Sequence, residues 1–256
     1  MTYIFDNTLR GFLCCVFEYY FRKDNHVKVI PQRLHTPSLI NDEIIIYADD
    51  VRAMRVWKGL QKKITEEWQL KLYCTFLSEL PESYQALFDC ICYFFDSKTI
   101  VYTNYGSEHI LAVNKLSRKV QHERHRMKGF IRFQKTKDNM YYAAIEPDHN
   151  ILPLLSTHFK NRFADQQWII YDKKRDYGLH YNLHTVEEIQ LNFDPQMQNQ
   201  QNTMLPDSVA EEQEALYQTL WKDYYSSVNI KERKNTKLHT QFLPKRYWRY
   251  LSEKQL

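Results

Sequence analysis

The chain has 256 residues, 43% apolar and 15% aromatic, which is the balance of an ordered protein able to bury a real core rather than of a disordered one. Only 5 residues are Gly, and the nearest two, Gly106 and Gly129, are 23 positions apart, so G-x-G-x-x-G, Walker A and G-x-S-x-G motifs are all excluded. The formal net charge is +4, unevenly placed: residues 107–135 and 221–256 each carry a net +6, leaving the remainder at −8. An acidic body with two basic segments is the pattern expected of a partner for a polyanion such as nucleic acid; two solvated helix faces would give the same count.

Residues 2–6 predict a short strand, followed by a helix over 8–22 that Asp6 or Thr8 can cap. Its apolar run Gly11–Phe17 is too short to span a membrane and lacks the flanks of a signal peptide. Cys14, Cys15, Cys74, Cys90 and Cys92 lie in apolar stretches without C-x-x-C spacing and read as reduced core thiols, placing the protein in the cytoplasm. Beyond a loop with Pro31 and Pro37, residues 43–48 predict a buried strand. Helices follow at 50–64, 66–79 and 82–96, the last opened by Pro81.

A long helix over 107–127 separates two faces at helical spacing. Ile110, Val113, Leu116, Val120 and Met127 form the apolar arc, with Glu123 at its border, where it could fix a basic side chain from the core side. Lys115, Arg118, Lys119, His122, His125 and Arg126 form the opposite arc, a cationic stripe suited to a phosphate backbone. His122 and His125 are spaced i, i+3 rather than the i, i+4 of a zincin, so no metal site is expected.

The period then changes. Gly129–Phe133 and Met140–Ile145 around Lys137-Asp138-Asn139 predict a hairpin, with Gly129 just ahead of its first strand. A helix follows at 152–163, and strands at 168–172 and 178–183, with Gly178 expected in the turn between them. The Gln/Asn-rich stretch 194–206 predicts a linker or loop between a globular part (1–193) and a C-terminal helix with a basic aromatic tail (207–256) that packs on the core. The fold class is α+β, mostly helical, with short antiparallel strand pairs.

Several ordered segments carry a family likeness: Glu123-Arg124-His125-Arg126-Met127-Lys128-Gly129-Phe130-Ile131-Arg132-Phe133, Ile145-Glu146-Pro147-Asp148-His149-Asn150, His158-Phe159 with Arg162-Phe163, Trp168–Arg175, Glu232-Arg233-Lys234-Asn235, and Pro244-Lys245-Arg246-Tyr247-Trp248. This order resembles a bacterial family of unknown function linked to DNA metabolism and repair, most strongly from about residue 84 onward. The resemblance implies a DNA-repair context. It also implies a radical-SAM repair protein as partner and kinship with domains fused elsewhere to uracil-DNA glycosylase-like domains. It supplies no catalytic residues.

The residues themselves leave three functions open. The first is a nucleic-acid-binding accessory protein. Its contacts would be the cationic stripe, a pocket of His158, Arg162, Arg132, Asp172 and Arg175 gripping a phosphate or flipped base, and Lys234, Lys237, His239, Lys245 and Arg246. The arginines of that pocket would equally serve a structural ion-pair network. In the tail, Tyr247 and Trp248 are expected to pack, with Lys234, Lys237, Lys245 and Arg246 facing solvent. The second is an enzyme. Either Asp148, Asp172 and Lys174 make a Mg²⁺-dependent nuclease, or Glu123, His158 and Asp172 process a base. Only the nuclease needs a cofactor. The third is a protein-interaction subunit whose basic face meets an acidic partner.

Overall fold

Thr2–Phe5 is buried along its whole length, and this places the first strand (β1) at the centre of a sheet rather than at its edge. In the computed structural model, which describes residues 1–37, 42–191, 209–227 and 235–254, β1 is flanked in parallel by β2 (Lys28–Pro31) and β3 (Glu43–Ile46). Pro31 is tolerated in β2 because that strand is an edge, where a missing N–H costs no ladder bond. Strand β3 is the other edge. The Ile run expected to be buried therefore turns only Ile46 fully inward, leaving Ile45 59% exposed.

The chain divides into two compact units, residues 1–122 and 123–256. The division falls inside a helix and not at the polar stretch 194–206, which lies outside the described residues along with part of the expected 207–226 helix. In the first unit, Thr8 caps α1 (Leu9–Arg22) by accepting from the Gly11 N–H at 3.0 Å, Asp49 caps α2 (Asp50–Gln61), and Thr65 caps α3 (Glu66–Leu77). Pro81 is the first residue of α4 (Pro81–Asp96). The Lys63 ammonium closes α4 by donating to the carbonyls of Phe94, Phe95 and Ser97 at 2.9–3.0 Å. Tyr3, Phe5, Phe12, Tyr84, Phe88 and Ile91 are among the residues of this unit's core. All five cysteines are buried as thiols rather than disulfides, and burial pushes those of Cys90 and Cys92 up to about 12.

Helix α5 runs Glu108–Phe130, longer than expected at its C-terminal end. Gly129 and Phe130 belong to it, not to a strand. The hairpin survives in shortened form: β4 is only Gln134–Lys135, paired antiparallel with β5 (Tyr141–Ile145) across a turn where Asn139 takes φ 60°. Helix α6 (Leu152–Arg162) leads to β6 (Trp168–Asp172), parallel to β5. Strands β7 (Tyr177–Tyr181) and β8 (Val186–Ile189) complete the order β4-β5-β6-β7-β8 by antiparallel pairing. Beyond the sheet lie α7 (Glu214–Ser227), α8 (Thr236–Phe242) and a 3-10 segment, Lys245–Tyr250. More than half of the described residues are helical, and the fold is α+β as expected. Three of its strand pairings are parallel, β1 with β2, β1 with β3 and β5 with β6, which local sequence signals do not reveal. Among the described residues no helix is long and apolar enough to cross a membrane.

Gly178 lies within β7 and not in the turn, which Asp176 makes at φ 57°. A Cβ at Gly178 would sit 2.8 Å from Tyr171 Cδ2 and 3.0 Å from the Ile170 carbonyl, whereas a Cβ at Gly129 would meet nothing within 4 Å. Gly178→Ala should therefore cost about 1–3 kcal/mol of stability through overpacking. Gly129→Ala should gain about 0.4–1 kcal/mol by restricting the unfolded chain. Denaturant unfolding of the two variants should show shifts of opposite sign.

Candidate functional site

The buried carboxylates of the second unit include Asp172 and Glu123, and Glu123 is 2% exposed on α5. Its carboxylate accepts from the backbone N–H groups of Asp148 and His149, both at 2.8 Å, and from the Tyr247 hydroxyl at 2.5 Å. Arg246 stands 3.8 Å away, donates to the Tyr247 oxygen, and pairs with the Asp148 carboxylate at 2.6 Å. Glu123 thus does fix a basic side chain from the core side, but through a network whose strongest members are backbone donors and a phenol. Burial, then the Glu123 hydrogen bond, pushes the Tyr247 hydroxyl's pKa up. Arg249 pairs with Glu146 in the same loop.

A second lock lies at the end of β6. Asp172 is fully buried; it accepts from the N–H groups of Lys174 (3.0 Å) and Arg175 (3.3 Å) and from the Arg175 guanidinium at 2.8 Å. Arg175 donates onward to the carbonyls of Pro147 and Asp148, and the Lys174 ammonium reaches the Asp148 carbonyl at 3.0 Å. Burial pushes the Asp172 carboxyl up, against the opposing pull of Arg175 and the two N–H groups.

The parallel register sets Ile145 beside Asp172, so the strand ends carrying Asp148 and Asp172 are neighbours, as a two-carboxylate nuclease requires. Their side chains do not converge. Asp172 is spent on Arg175, while the half-exposed Asp148 carboxylate binds Arg246. Among the described residues no three His, Cys, Asp or Glu side chains are grouped to hold a metal ion.

Arg132 is likewise committed: it makes a two-pronged pair with Glu253 (2.7 and 3.3 Å) and donates to the Gly129 carbonyl. Burial pushes the Glu253 carboxyl up, but the donors from Arg132 and Trp221 prevail and hold it below its ordinary value. Arg132, Asp172 and Arg175 therefore form ion-pair locks, not the open lining of a pocket with His158 and Arg162.

His158 and Arg162 do share a face of α6, and opposite them stand Arg124 and Lys128 of α5, a pair also one turn apart. Burial first, then Lys128, Arg162 and Arg124, lowers the His158 pKa below 6.5. The Nε2 of His158 and the Nε of Arg124 are buried without a hydrogen-bond partner, and no carboxylate pairs with Arg124, Lys128 or Arg162 among the described residues. Arg124 and Lys128 escape a reading from the helical wheel because they fall within the apolar arc, between Val113 and Ile110, and outside the cationic stripe. Their i, i+4 spacing is the signal that could have found them.

Lys115, Arg118, Lys119, His122 and His125 are exposed along α5, and Arg118 and the two lysines have no ion pair among the described residues. Arg126 bonds the Gln241 carbonyl at 3.3 Å. In the tail, Tyr247 is buried and Trp248 partly so, while Lys237 and Lys245 face solvent as expected; Lys245 lies over the Trp248 ring. Arg246 is tied to Asp148, and burial next to Lys254 lowers the pKa of His239. Lys234 lies outside the described residues.

A family model described as a domain of unknown function (DUF4130) matches residues 81–253, from the first residue of α4 through the Glu253 partner of Arg132. No curated protein and no solved structure matches the chain.

Removing either buried carboxylate strands its donors. Asp172→Ala should destabilise the second unit by about 3–5 kcal/mol, because the largely buried Arg175 guanidinium would lose its carboxylate. Glu123→Gln, which places an amide against two N–H donors, should cost about 1–3 kcal/mol. Thermal unfolding followed by near-UV circular dichroism measures both, and limited proteolysis should release the segment around Tyr247 first in the Glu123 variant.

Proposed function

This chain belongs to the DUF4130 family of domains of unknown function, and we propose that it serves as a nucleic-acid-binding accessory protein of DNA repair. The observation that carries this reading is the division of its cations into two populations. Arg132, Arg175, Arg246 and Arg249 are spent on carboxylates. Among the described residues, Arg124, Lys128 and Arg162 stand around His158 with no acid paired to them, and Lys115, Arg118 and Lys119 are exposed and likewise without an ion pair. Clustering like charges costs folding energy, and a bound phosphate backbone would recover it by ion pairing and counterion release. The reading also includes a radical-SAM partner, on the strength of the sequence resemblance, and a cytoplasmic location, on the strength of the reduced cysteines.

Fluorescence anisotropy with a labelled oligonucleotide tests it. Affinity should fall steeply with salt, with a log–log slope of about −0.7 for each neutralised phosphate of a single strand. Arg124→Glu with Lys128→Glu should weaken binding and flatten that slope. Absence of binding to single- or double-stranded DNA at low salt overturns the proposal. Burial and then the neighbouring cations depress His158, and bound phosphate should offset the second of these: its imidazole resonance should titrate below 6.5 in the free protein and at higher pH in the complex. An unchanged titration would place the nucleic acid elsewhere.

A further inference from the structure

The second unit holds a cleft of about 690 Å³ that plays no part in either carboxylate lock. Its walls come from both basic segments of the sequence, residues 107–135 and 221–256, and from β5 and the start of α7. Tyr142 and Ala144 stand on one face of β5, the alanine leaving room where a larger side chain would fill the floor. Phe133 lies on the segment between α5 and β4, and Tyr217 and Trp221 project from successive turns of α7.

These α7 rings are exposed yet held. Trp221 is 40% exposed, but its Nε1 donates to Glu253 at 3.0 Å and the Arg132 guanidinium lies 5.7 Å from its ring centroid. Tyr217 is 53% exposed, with its hydroxyl bonded to Gln213 at 3.2 Å. Leaving large rings open to water forgoes the stabilisation their burial would bring, so their fixed orientation points to a flat guest.

We propose that this cleft receives one unstacked base of a single-stranded nucleic acid, stacked against Tyr217 or Trp221 with its polar edge toward Gln218. The proposal rests on the nucleic-acid reading above and adds where a base, rather than a phosphate, is held. Three features favour a base. The cations at the rim, Arg132 and Lys135, are already paired with Glu253 and Glu211, so the cleft is no phosphate site. Gln218 donates to Glu214 at 3.1 Å, which orients the amide and leaves its oxygen to accept from an exocyclic amino group. A wholly apolar guest would desolvate Gln218, Glu214 and the Arg132–Glu253 pair without replacing their water.

The test compares the full chain's affinity for a labelled 12-residue oligodeoxynucleotide with that for an abasic oligomer of the same length, whose phosphates are identical. The abasic oligomer should bind about tenfold more weakly, as the loss of a base–aromatic stack implies. Tyr217→Ala, at an exposed position on α7, should abolish most of that difference while leaving the salt dependence intact. Equal binding of the two oligomers by the unaltered protein, with steep salt dependence retained, overturns the cleft but not the backbone contacts. A difference that survives undiminished in Tyr217→Ala also overturns it. Failure of both oligomers to bind at low salt overturns both readings.

Discussion

A carboxylate cannot stay buried and charged without donors, and much of the second unit is arranged to supply them to Glu123. The acid sits on α5, yet its partners come from the loop after β5 (Asp148 and His149) and from the tail (Tyr247, with Arg246 behind it). One side chain thus sets three segments that are distant in sequence. The second buried acid, Asp172, works on the same loop from the other side: Arg175 and Lys174 take up the carbonyls of Pro147 and Asp148. Between them the two carboxylates hold the 146–150 loop by its N–H groups and its carbonyls at once.

This demand sorts the basic residues. A guanidinium that answers a buried acid is no longer available to a ligand, however well its position suggests one. That is why Arg132 and Arg175, which sequence spacing groups with His158 and Arg162, belong to the scaffold. The cations left over in the second unit include Arg124 and Lys128 of α5, Arg162 of α6 and the exposed Lys237 and Lys245 of the tail, and these rather than the locked arginines can meet a polyanion.

What could be read from sequence follows the range of the interaction responsible. Caps and helical periodicity are local: Thr8 caps α1 as its spacing predicts, and Ile110, Val113, Leu116, Val120 and Met127 are buried as one arc. Strands were harder. Strand β2 carries Pro31 and β8 reads Val-Glu-Glu-Ile, so neither has the signature of a buried strand; each forms because a neighbour offers hydrogen bonds. Gly129 and Gly178 mislead in the same way. Glycine is read as a turn, whereas one is carried inside a helix and the other admits the Tyr171 ring. At the site, the buried position of Glu123 was legible from the wheel, but its donors are backbone groups, which no residue type announces.

The reach of the Glu123 network bears on how the protein is made. Residues 123 and 247 are 124 positions apart, so a nascent chain carries α5 long before the phenol that completes its carboxylate's shell exists. The first unit, whose strands, caps and core all lie within residues 1–122, has every partner it needs by then. The second must meet the loop-closure entropy of the connection from α5 to the tail before the Glu123 carboxylate has its full set of donors. Until Tyr247 emerges, the Glu123 carboxylate has only the two backbone donors of the loop after β5, so the second unit cannot complete its polar core before its tail is made.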